Sequence, residues 1–145
     1  MNQLTSIMKK VIVFIFLLYN SLAFAQQDGL RKGSSVFIQA PKSDIGASAA
    51  QELSSELQNW GYWKITSSKS TADFVLKLDT KISGGVTWTS WGGKSVALSA
   101  SFFSKNDHEI WQSEYYKASP NGVNGYNSQS AAVKKLVKGL KKKFR

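Results

Sequence analysis

The clearest strand pattern in the chain is ADFVLKLDTKI, residues 72–82. Its apolar positions share one face by period-two alternation, namely Phe74, Leu76, Leu78 and Ile82. The charged positions between them share the other face, namely Lys77, Asp79 and Lys81. A sheet with one apolar face is expected, and helices must cover that face.

Further strands are predicted on both sides of this segment, at residues 35–40, 62–66, 95–104 and 108–117. The first and third strands should be parallel, and strands three to five should form an antiparallel meander. In the fifth strand, simple alternation places Ile110 and Tyr116 on one face and Trp111 and Tyr115 on the other. The exposed sheet face is predicted to carry aromatic side chains, drawn from Tyr62, Trp63, Trp111, Tyr115 and Tyr116.

Two amphipathic helices are predicted. The first runs from about residue 45 to residue 60, with Ser43 or Asp44 as N-cap and Gly61 as a left-handed C-terminal residue. The last begins at Asn127 or Ser128, and its apolar stripe is Val133, Leu136, Val137, Leu140 and Phe144. The predicted fold is an α+β, two-layer α/β sandwich of order β-α-β-β-β(-β)-α, with a mixed, mostly antiparallel sheet and both helices on one face.

Residues 1–25 have the pattern of a signal peptide. A basic pair, Lys9 and Lys10, precedes an apolar run, and Ala23-Phe24-Ala25 supplies a small-x-small cleavage site. The apolar run at residues 11–19 is much shorter than the roughly 20 residues of a spanning helix, so no transmembrane segment is expected in the mature chain. We therefore predict a signal peptide (1–25), a flexible leader (26–33) and a single α/β domain (34–145).

The predicted location is the periplasm or the extracellular medium, which excludes functions that need cytosolic ATP, nicotinamide cofactors or chromosomal DNA. The chain has no cysteine, so it has no disulfide and no lipobox cysteine to acylate, and we do not expect a lipoprotein.

The net charge of +10 is concentrated near the end of the sequence. Seven basic residues and no acid follow residue 133: Lys134, Lys135, Lys138, Lys141, Lys142, Lys143 and Arg145. One interpretation is attraction to a polyanion such as lipid headgroups, lipopolysaccharide phosphates or an acidic partner. The other is a solvated helix face whose lysines favour the C-terminal end of the helix dipole.

No catalytic, cofactor or metal site is predicted. Gly92-Gly93-Lys94-Ser95 resembles the end of a phosphate-binding loop, but Trp88 replaces the required earlier glycine and a strand follows instead of a helix. The single histidine, His108, lies in a predicted hairpin turn between two acids that alternate faces. Glu52 and Glu56 are interpreted as solvent-facing charges on the first helix. A nucleic-acid partner is not favoured, because the basic aromatic strand motif is absent.

The segment between Gly84 and Gly93 breaks the alternation, and it holds Trp88 and Trp91 between two glycine pairs. It is either an aromatic loop that binds a lipid surface, a sugar ring or a protein, or a hairpin extension whose tryptophans fold back on the sheet.

Three features in order resemble a group of small bacterial envelope domains. They are Trp60-Gly61-Tyr62 at the end of a helix, the strand start Ala72-Asp73-Phe74-Val75-Leu76, and a tryptophan after a polar turn, residues 107–111. The chain is similar in this pattern to the TolB amino-terminal domain, lipopolysaccharide-assembly lipoproteins and exported domains of unknown function. The resemblance implies a binding or assembly role and no shared catalytic residues.

The sequence thus predicts an exported, non-enzymatic domain that contacts an envelope protein or an anionic envelope component, a lipid headgroup or lipopolysaccharide. The predicted contact residues are Trp88, Trp91, Lys134, Lys135, Lys138, Lys141 and Lys142. The alternatives are a secreted hydrolase with an unrecognised site and a structural subunit that pairs through a sheet edge. The oligomeric state is left open.

Overall fold

The computed structural model describes residues 29–84, 93–120 and 127–145. Its elements, in chain order, are β1 (Ser35–Gln39), α1 (Asp44–Trp60), β2 (Lys64–Thr66), β3 (Phe74–Gly84), β4 (Lys94–Ser104), β5 (Glu109–Gln112), β6 (Tyr116–Ala118) and α2 (Ser128–Lys143). The predicted signal peptide, and both Trp88 and Trp91, lie outside these residues. No helix of the described ranges is long and apolar enough to cross a bilayer.

The strands form one mixed sheet of order β2-β1-β3-β4-β5, and β6 pairs with β4 as well. Strand β1 is parallel to β2 and β3, and β3, β4 and β5 form an antiparallel meander. Helix α1 joins the parallel neighbours β1 and β2, as a crossover between parallel strands requires. The predicted α+β architecture is confirmed.

The core lies between the sheet and the two helices. Its fully buried side chains come from every layer: Val36, Leu76, Leu98 and Phe102 from the sheet, Leu53 and Leu57 from α1, and Val133, Leu136 and Leu140 from α2. Each such side chain contributes about 1.5–3 kcal/mol through burial. Both helices therefore cover the same face of the sheet, and they also contact each other.

Ile82 does not belong to this core, contrary to the sequence prediction. Its side chain is 42% exposed. Strand β1 pairs with β3 only as far as Lys77, so the rest of β3 is an edge of the sheet, with β4 as its partner on one side. The alternation of residues 74–82 was correct, but it does not show where β3 becomes an edge strand.

The helix ends agree with the predicted caps. The Ser43 side chain accepts the Gly46 N–H at 3.1 Å, and Gly61 ends α1 with a φ of 67°. Asn127 Oδ1 accepts the N–H groups of Gln129 and Ser130 at 2.9 and 3.2 Å at the start of α2.

The predicted fifth strand is two strands, because the chain departs from the ladder at Ser113. The Ser113 N–H donates to the Ala100 carbonyl at 2.9 Å, while the Ala100 N–H donates at 2.9 Å to Ser113 Oγ in place of a backbone carbonyl. A side-chain oxygen therefore replaces one acceptor of the ladder. The Ser113 hydroxyl in turn donates to the Glu114 carbonyl.

This break changes the faces of the residues that follow it. Trp111 contacts Phe102 and Phe144, and the Tyr116 ring lies against Gly139 of α2, so both face the helices. The Tyr115 hydroxyl donates to Asp79 on the opposite face. The prediction that Trp111 shares a sheet face with Tyr115, and Ile110 with Tyr116, is wrong. An irregular residue between two strands shifts the alternation of side chains between the two faces.

Candidate functional site

Helix α2 has one face in the core and one face in solvent. Its buried positions are Ser128, Ala132, Val133, Leu136, Val137 and Leu140. Of the predicted binding lysines, Lys134, Lys135, Lys138 and Lys142 are exposed and Lys141 is half-buried. The amphipathic helix predicted from the sequence is confirmed, and it brings these five lysines to one side of the molecule.

The lysines of α2 form no ion pair within 4 Å among the described residues. The ion pairs of this part of the chain are Lys77–Asp107 at 3.7 Å and Lys105–Asp73 at 3.6 Å, and neither involves a residue of α2. Lys141 Nζ lies 5.9 Å from the centroid of the Trp60 ring, a cation–π contact. The positive charge of α2 is therefore available to an external anion.

Two clefts flank α2, one on each side of its exposed ridge. The first, which we name the β-side cleft, has a volume of about 500 Å³. Its lining residues are Trp111, Glu114, Tyr116, Lys135, Lys138, Gly139, Lys142 and Lys143. Trp111, Tyr116 and Gly139 are half-buried and form its floor, whereas the charged residues are exposed or lie at its rim.

The second cleft, the α1-side cleft, has a volume of about 560 Å³. Its lining residues are Glu56, Lys134, Val137, Lys138, Lys141, Lys142 and Arg145. None of these described lining residues is aromatic. Lys138 and Lys142 line both clefts, whereas Lys135 belongs to the first alone and Lys134 to the second alone.

One lysine of the β-side cleft is held in place by the sheet. Lys135 Nζ donates to the Lys117 carbonyl of β6 at 2.7 Å. An ammonium group has three donors, so this bond leaves two N–H groups for another acceptor. The contact orients the charge without neutralising it.

The Tyr116 ring, part of the floor of the β-side cleft, lies against α2. A β-carbon at position 139 would stand 2.6 Å from Tyr116 Cζ, so glycine is needed there for the ring to lie against the helix. Burial raises the pKa of the Tyr116 hydroxyl, and the negative charge of Glu114 raises it further. The phenol is therefore neutral at physiological pH and does not repel an anion.

An aromatic cluster that the sequence did not predict lies beside these clefts. Trp63, whose side chain is buried, contacts Phe102 and Phe144 with ring centroids 5.1 Å apart in both cases. Trp60 stacks on Tyr62 at 4.8 Å. Of the aromatic residues predicted on the open sheet face, only Tyr115 is found there, because Tyr62, Trp63, Trp111 and Tyr116 all belong to the helix-covered side.

The open sheet face is covered locally by Tyr115. Its hydroxyl donates to Asp79 of β3, while Lys81 Nζ stands 3.8 Å from its ring centroid. Asp79 of β3 lies opposite Ser99 of β4. The Tyr115 side chain must therefore cross β4 near Ser99 to reach Asp79, which agrees with the full burial of Ser99. The described residues of this face are therefore stabilised by local contacts.

The remaining sequence-level candidates have structural roles or lie outside the described residues. Glu52 does not face solvent as predicted, since it is half-buried and accepts a hydrogen bond from Ser130 Oγ of α2. His108 lies in the exposed β4–β5 turn, as expected. Trp88 and Trp91 fall outside the described ranges, so their predicted binding role stays a prediction. Within those ranges no three His, Cys, Asp or Glu side chains are placed to hold a metal ion.

The Ala-Asp strand start has a structural explanation. The Ser35 N–H and hydroxyl donate to Asp73 Oδ2 at 2.9 and 2.7 Å, and these bonds lower the pKa of the Asp73 carboxyl. Ala72 beside it is buried. This motif therefore fixes the start of β3 against β1, and its carboxylate is occupied within the fold.

The fold and its clefts define a small two-layer α+β domain with one basic helix face. No protein-family model and no curated protein matches the sequence. In structure the chain is similar to PelC from Paraburkholderia phytofirmans, solved as a dodecamer, at 15% identity and a TM-score of 0.56 over 78% of this chain and 89% of PelC. A DUF330 protein from Xanthomonas campestris is similar at 7% identity and a TM-score of 0.52, over 77% and 81% of the two chains.

A lipoprotein from Neisseria meningitidis matches at 10% identity and a TM-score of 0.49, over 76% of this chain and 96% of that one. At their identities the matches to PelC and to the DUF330 protein establish the fold and no more. The expected resemblance to small bacterial domains is therefore confirmed for the fold. A specific relation to TolB or to lipopolysaccharide-assembly lipoproteins stays a prediction.

Proposed function

We propose that this chain is an exported binding domain of the bacterial envelope that attaches to an anionic, phosphate-bearing envelope component through α2. The observation that carries the proposal is the exposed row of lysines on α2, which has no acidic partner within 4 Å among the described residues. Such a row attracts polyanions, and each lysine near an anionic membrane contributes about 1 kcal/mol.

The competing interpretation is a solvated helix face that serves only the helix dipole. The dipole acts within the last turn of a helix, which here contains Lys141, Lys142 and Lys143. Lys134, Lys135 and Lys138 lie farther from that end, so the dipole does not account for them. Their exposure beside two clefts is better explained by an external ligand.

A vesicle-binding experiment tests the proposal. The protein, purified from cells that express the full chain, is mixed with vesicles of phosphatidylcholine alone or of phosphatidylcholine with phosphatidylglycerol. We expect binding only to the anionic vesicles, and a steep loss as salt is added. Lys138→Glu with Lys142→Glu should weaken binding at least about tenfold.

The matched control reverses two exposed lysines elsewhere, Lys64→Glu with Lys69→Glu, which change the net charge equally. If both pairs weaken binding to the same extent, the net charge of the protein is responsible and α2 is not the site. Absence of binding to anionic vesicles at low salt would contradict the proposal directly.

Export is supported by the signal-peptide pattern of residues 1–25. Fractionation of a Gram-negative host that expresses the full chain should release the protein with the periplasmic contents. Replacing Val13 and Phe16 by aspartate within the apolar run should retain the protein in the cytosol. Release of both forms to the same fraction would contradict export by this segment.

A second candidate function, pairing through a sheet edge, is favoured by the unpaired side of β3. The Ala100 N–H and carbonyl bond Ser113, so they point away from β3. Leu78 of β3 is the cross-strand partner of Ala100, so the N–H and carbonyl of Leu78 must point away from β4. Backbone groups alternate in direction along a strand, so those of Thr80 and Ile82 point away from β4 as well. The Thr80 N–H accordingly bonds the Asp79 side chain at 2.8 Å instead of a strand.

Because β1 ends its pairing at Lys77, the edge of β3 from Thr80 to Gly84 faces no other described strand. Such an edge pairs readily with a further strand. PelC, which shares the fold, was solved as a dodecamer. These observations favour self-assembly of this chain through β3.

Light scattering of the purified protein tests this second candidate. Ile82→Pro removes an N–H from the free edge while leaving the β3–β4 ladder intact, so it should abolish self-association without unfolding the monomer. Ile82→Val keeps the N–H and serves as the control. A protein that is monomeric at all concentrations, or a proline variant that associates normally, would contradict edge pairing.

A further inference from the structure

The two clefts beside α2 carry similar charge but differ in chemistry. Both include Lys138 and Lys142, and each adds two lysines of its own, Lys135 and Lys143 in the β-side cleft and Lys134 and Lys141 in the α1-side cleft. The β-side cleft places the half-buried rings of Trp111 and Tyr116 beneath its lysines, whereas the α1-side cleft offers Val137 as its apolar side chain. Of these two clefts, the β-side cleft is the one whose described lining gives a ligand both an anion site and an aromatic apolar surface.

The lysines of the β-side cleft are spaced along the helix. Lys135, Lys138 and Lys142 follow one another at three and four residues, so they stand on one side of α2, and the first and last are about 10 Å apart along its axis. Lys135 is held toward the cleft by the Lys117 carbonyl. Amphipathic lysine stems add apolar contact below their charges.

From this arrangement we propose that the β-side cleft binds a single anionic amphiphile. Its phosphate or carboxylate is held by Lys135, Lys138 and Lys142, and its hydrocarbon part packs on Trp111 and Tyr116. The volume of about 500 Å³ is that of a site for one small ligand. This inference rests on the proposed function and assigns a ligand class to one part of the α2 surface.

Glu114 is the one acid among the described residues that line this cleft, and it opposes an anionic ligand. Its exposed carboxylate stands near the lysines without forming an ion pair within 4 Å among the described residues. Its removal should therefore tighten binding. Glu114→Gln, which preserves the size of the side chain, makes this prediction specific to the β-side cleft.

Calorimetric titration with three probes tests the inference, on protein purified from cells that express the full chain. The probes are decyl phosphate below its micelle concentration, inorganic phosphate, and decanol. Decyl phosphate should bind saturably at one site per chain. Inorganic phosphate lacks the hydrocarbon part, and decanol lacks the charge. Each should bind at least about tenfold more weakly, given the contribution of each buried methylene group and each lysine.

Two neighbouring lysines give a matched pair of variants. Lys135→Glu should weaken decyl phosphate binding at least about tenfold, whereas Lys134→Glu, with an equal change of net charge, should alter it less than about twofold. Trp111→Leu should weaken binding as well. Its melting curve is recorded in parallel, because Trp111 also contacts Phe102 and Phe144. Lys135→Glu keeps the inference testable if Trp111→Leu does not fold.

Equal effects of Lys134→Glu and Lys135→Glu would overturn the inference, as would equal affinities for inorganic phosphate and decyl phosphate. Vesicle binding that persists without saturable binding of decyl phosphate would overturn the amphiphile site and leave the proposed function standing. Failure of both experiments would overturn both.

Discussion

The Tyr116 ring lies against the backbone of α2 at Gly139, where a β-carbon would stand 2.6 Å from Tyr116 Cζ. In an ordinary helix interior, glycine is less favourable than alanine by about 1 kcal/mol. Overpacking at a closed contact costs about 1–3 kcal/mol, which is the larger effect. The glycine thus allows strand β6 to approach the helix.

We therefore expect Gly139→Ala to lower the free energy of unfolding by about 1 kcal/mol, measured by urea denaturation. In a Tyr116→Ala background the same substitution should raise it, because the clash is gone and helix propensity decides the sign. Equal effects of Gly139→Ala in the two backgrounds would show that the contact with Tyr116 is not responsible.

The Ser113 hydroxyl replaces a carbonyl in the ladder of β4, so its removal leaves the buried Ala100 N–H without an acceptor. Ser113→Ala should lower the free energy of unfolding by about 1–3 kcal/mol. Ser119→Ala, which removes an exposed hydroxyl bonded to Ser95, should change it by less than about 0.5 kcal/mol. Similar results for the two variants in urea denaturation would refute this role of Ser113.

The lowered pKa of Asp73 predicts a pH dependence of stability. The hydrogen bonds from Ser35 favour the charged carboxylate in the folded state, and the unfolded carboxyl titrates near pH 3.9, at about its usual pKa. The contribution of Asp73 is therefore complete above about pH 5, and it is lost as the pH falls through the folded pKa. The effect is modest, because the side chain is half exposed.

Asp73→Asn should accordingly differ most from the unchanged protein near neutral pH, and the difference in unfolding free energy should narrow on acidification. Lys105→Ala, which removes the exposed ion pair but keeps the Ser35 bonds, should change the profile little. If the difference in unfolding free energy between Asp73→Asn and the unchanged protein grew toward acid pH, a lowered pKa of Asp73 in the folded state would be contradicted.

Phe144 closes the aromatic cluster at the end of α2. Its ring centroid lies 5.1 Å from that of Trp63 and 5.3 Å from that of Trp111. Phe144→Ala should lower the free energy of unfolding by about 2 kcal/mol, because it removes apolar burial and edge-to-face contacts together. Arg145→Ala is the matched exposed neighbour and should change it by less than about 0.5 kcal/mol. Equal melting temperatures for both variants would exclude the role of Phe144.

The layers of the fold were predictable because strong local signals specify them. The caps Ser43, Gly61 and Asn127 bound the helices, and the alternation at Phe74, Leu76 and Leu78 identified the buried face of β3. These signals act between residues close in sequence, where geometry alone fixes the outcome.

The break at Ser113 was not predictable, because a serine in a strand has the same pattern whether its hydroxyl meets water or replaces a backbone acceptor. The faces of Tyr115 and Tyr116 were therefore assigned wrongly. The aromatic cluster was missed for a different reason: Trp63 and Phe144 meet only through the packing of α2 on the sheet, which a single sequence does not show. Of the candidate site, the lysines were predictable and the aromatic floor beneath them was not.

Helix α2 is the last described element, yet it supplies Val133, Leu136 and Leu140 to the centre of the core. During synthesis, the apolar face of the sheet at β4 is not covered until α2 has been made. Late completion of the core thus delays folding until most of the polypeptide has been made.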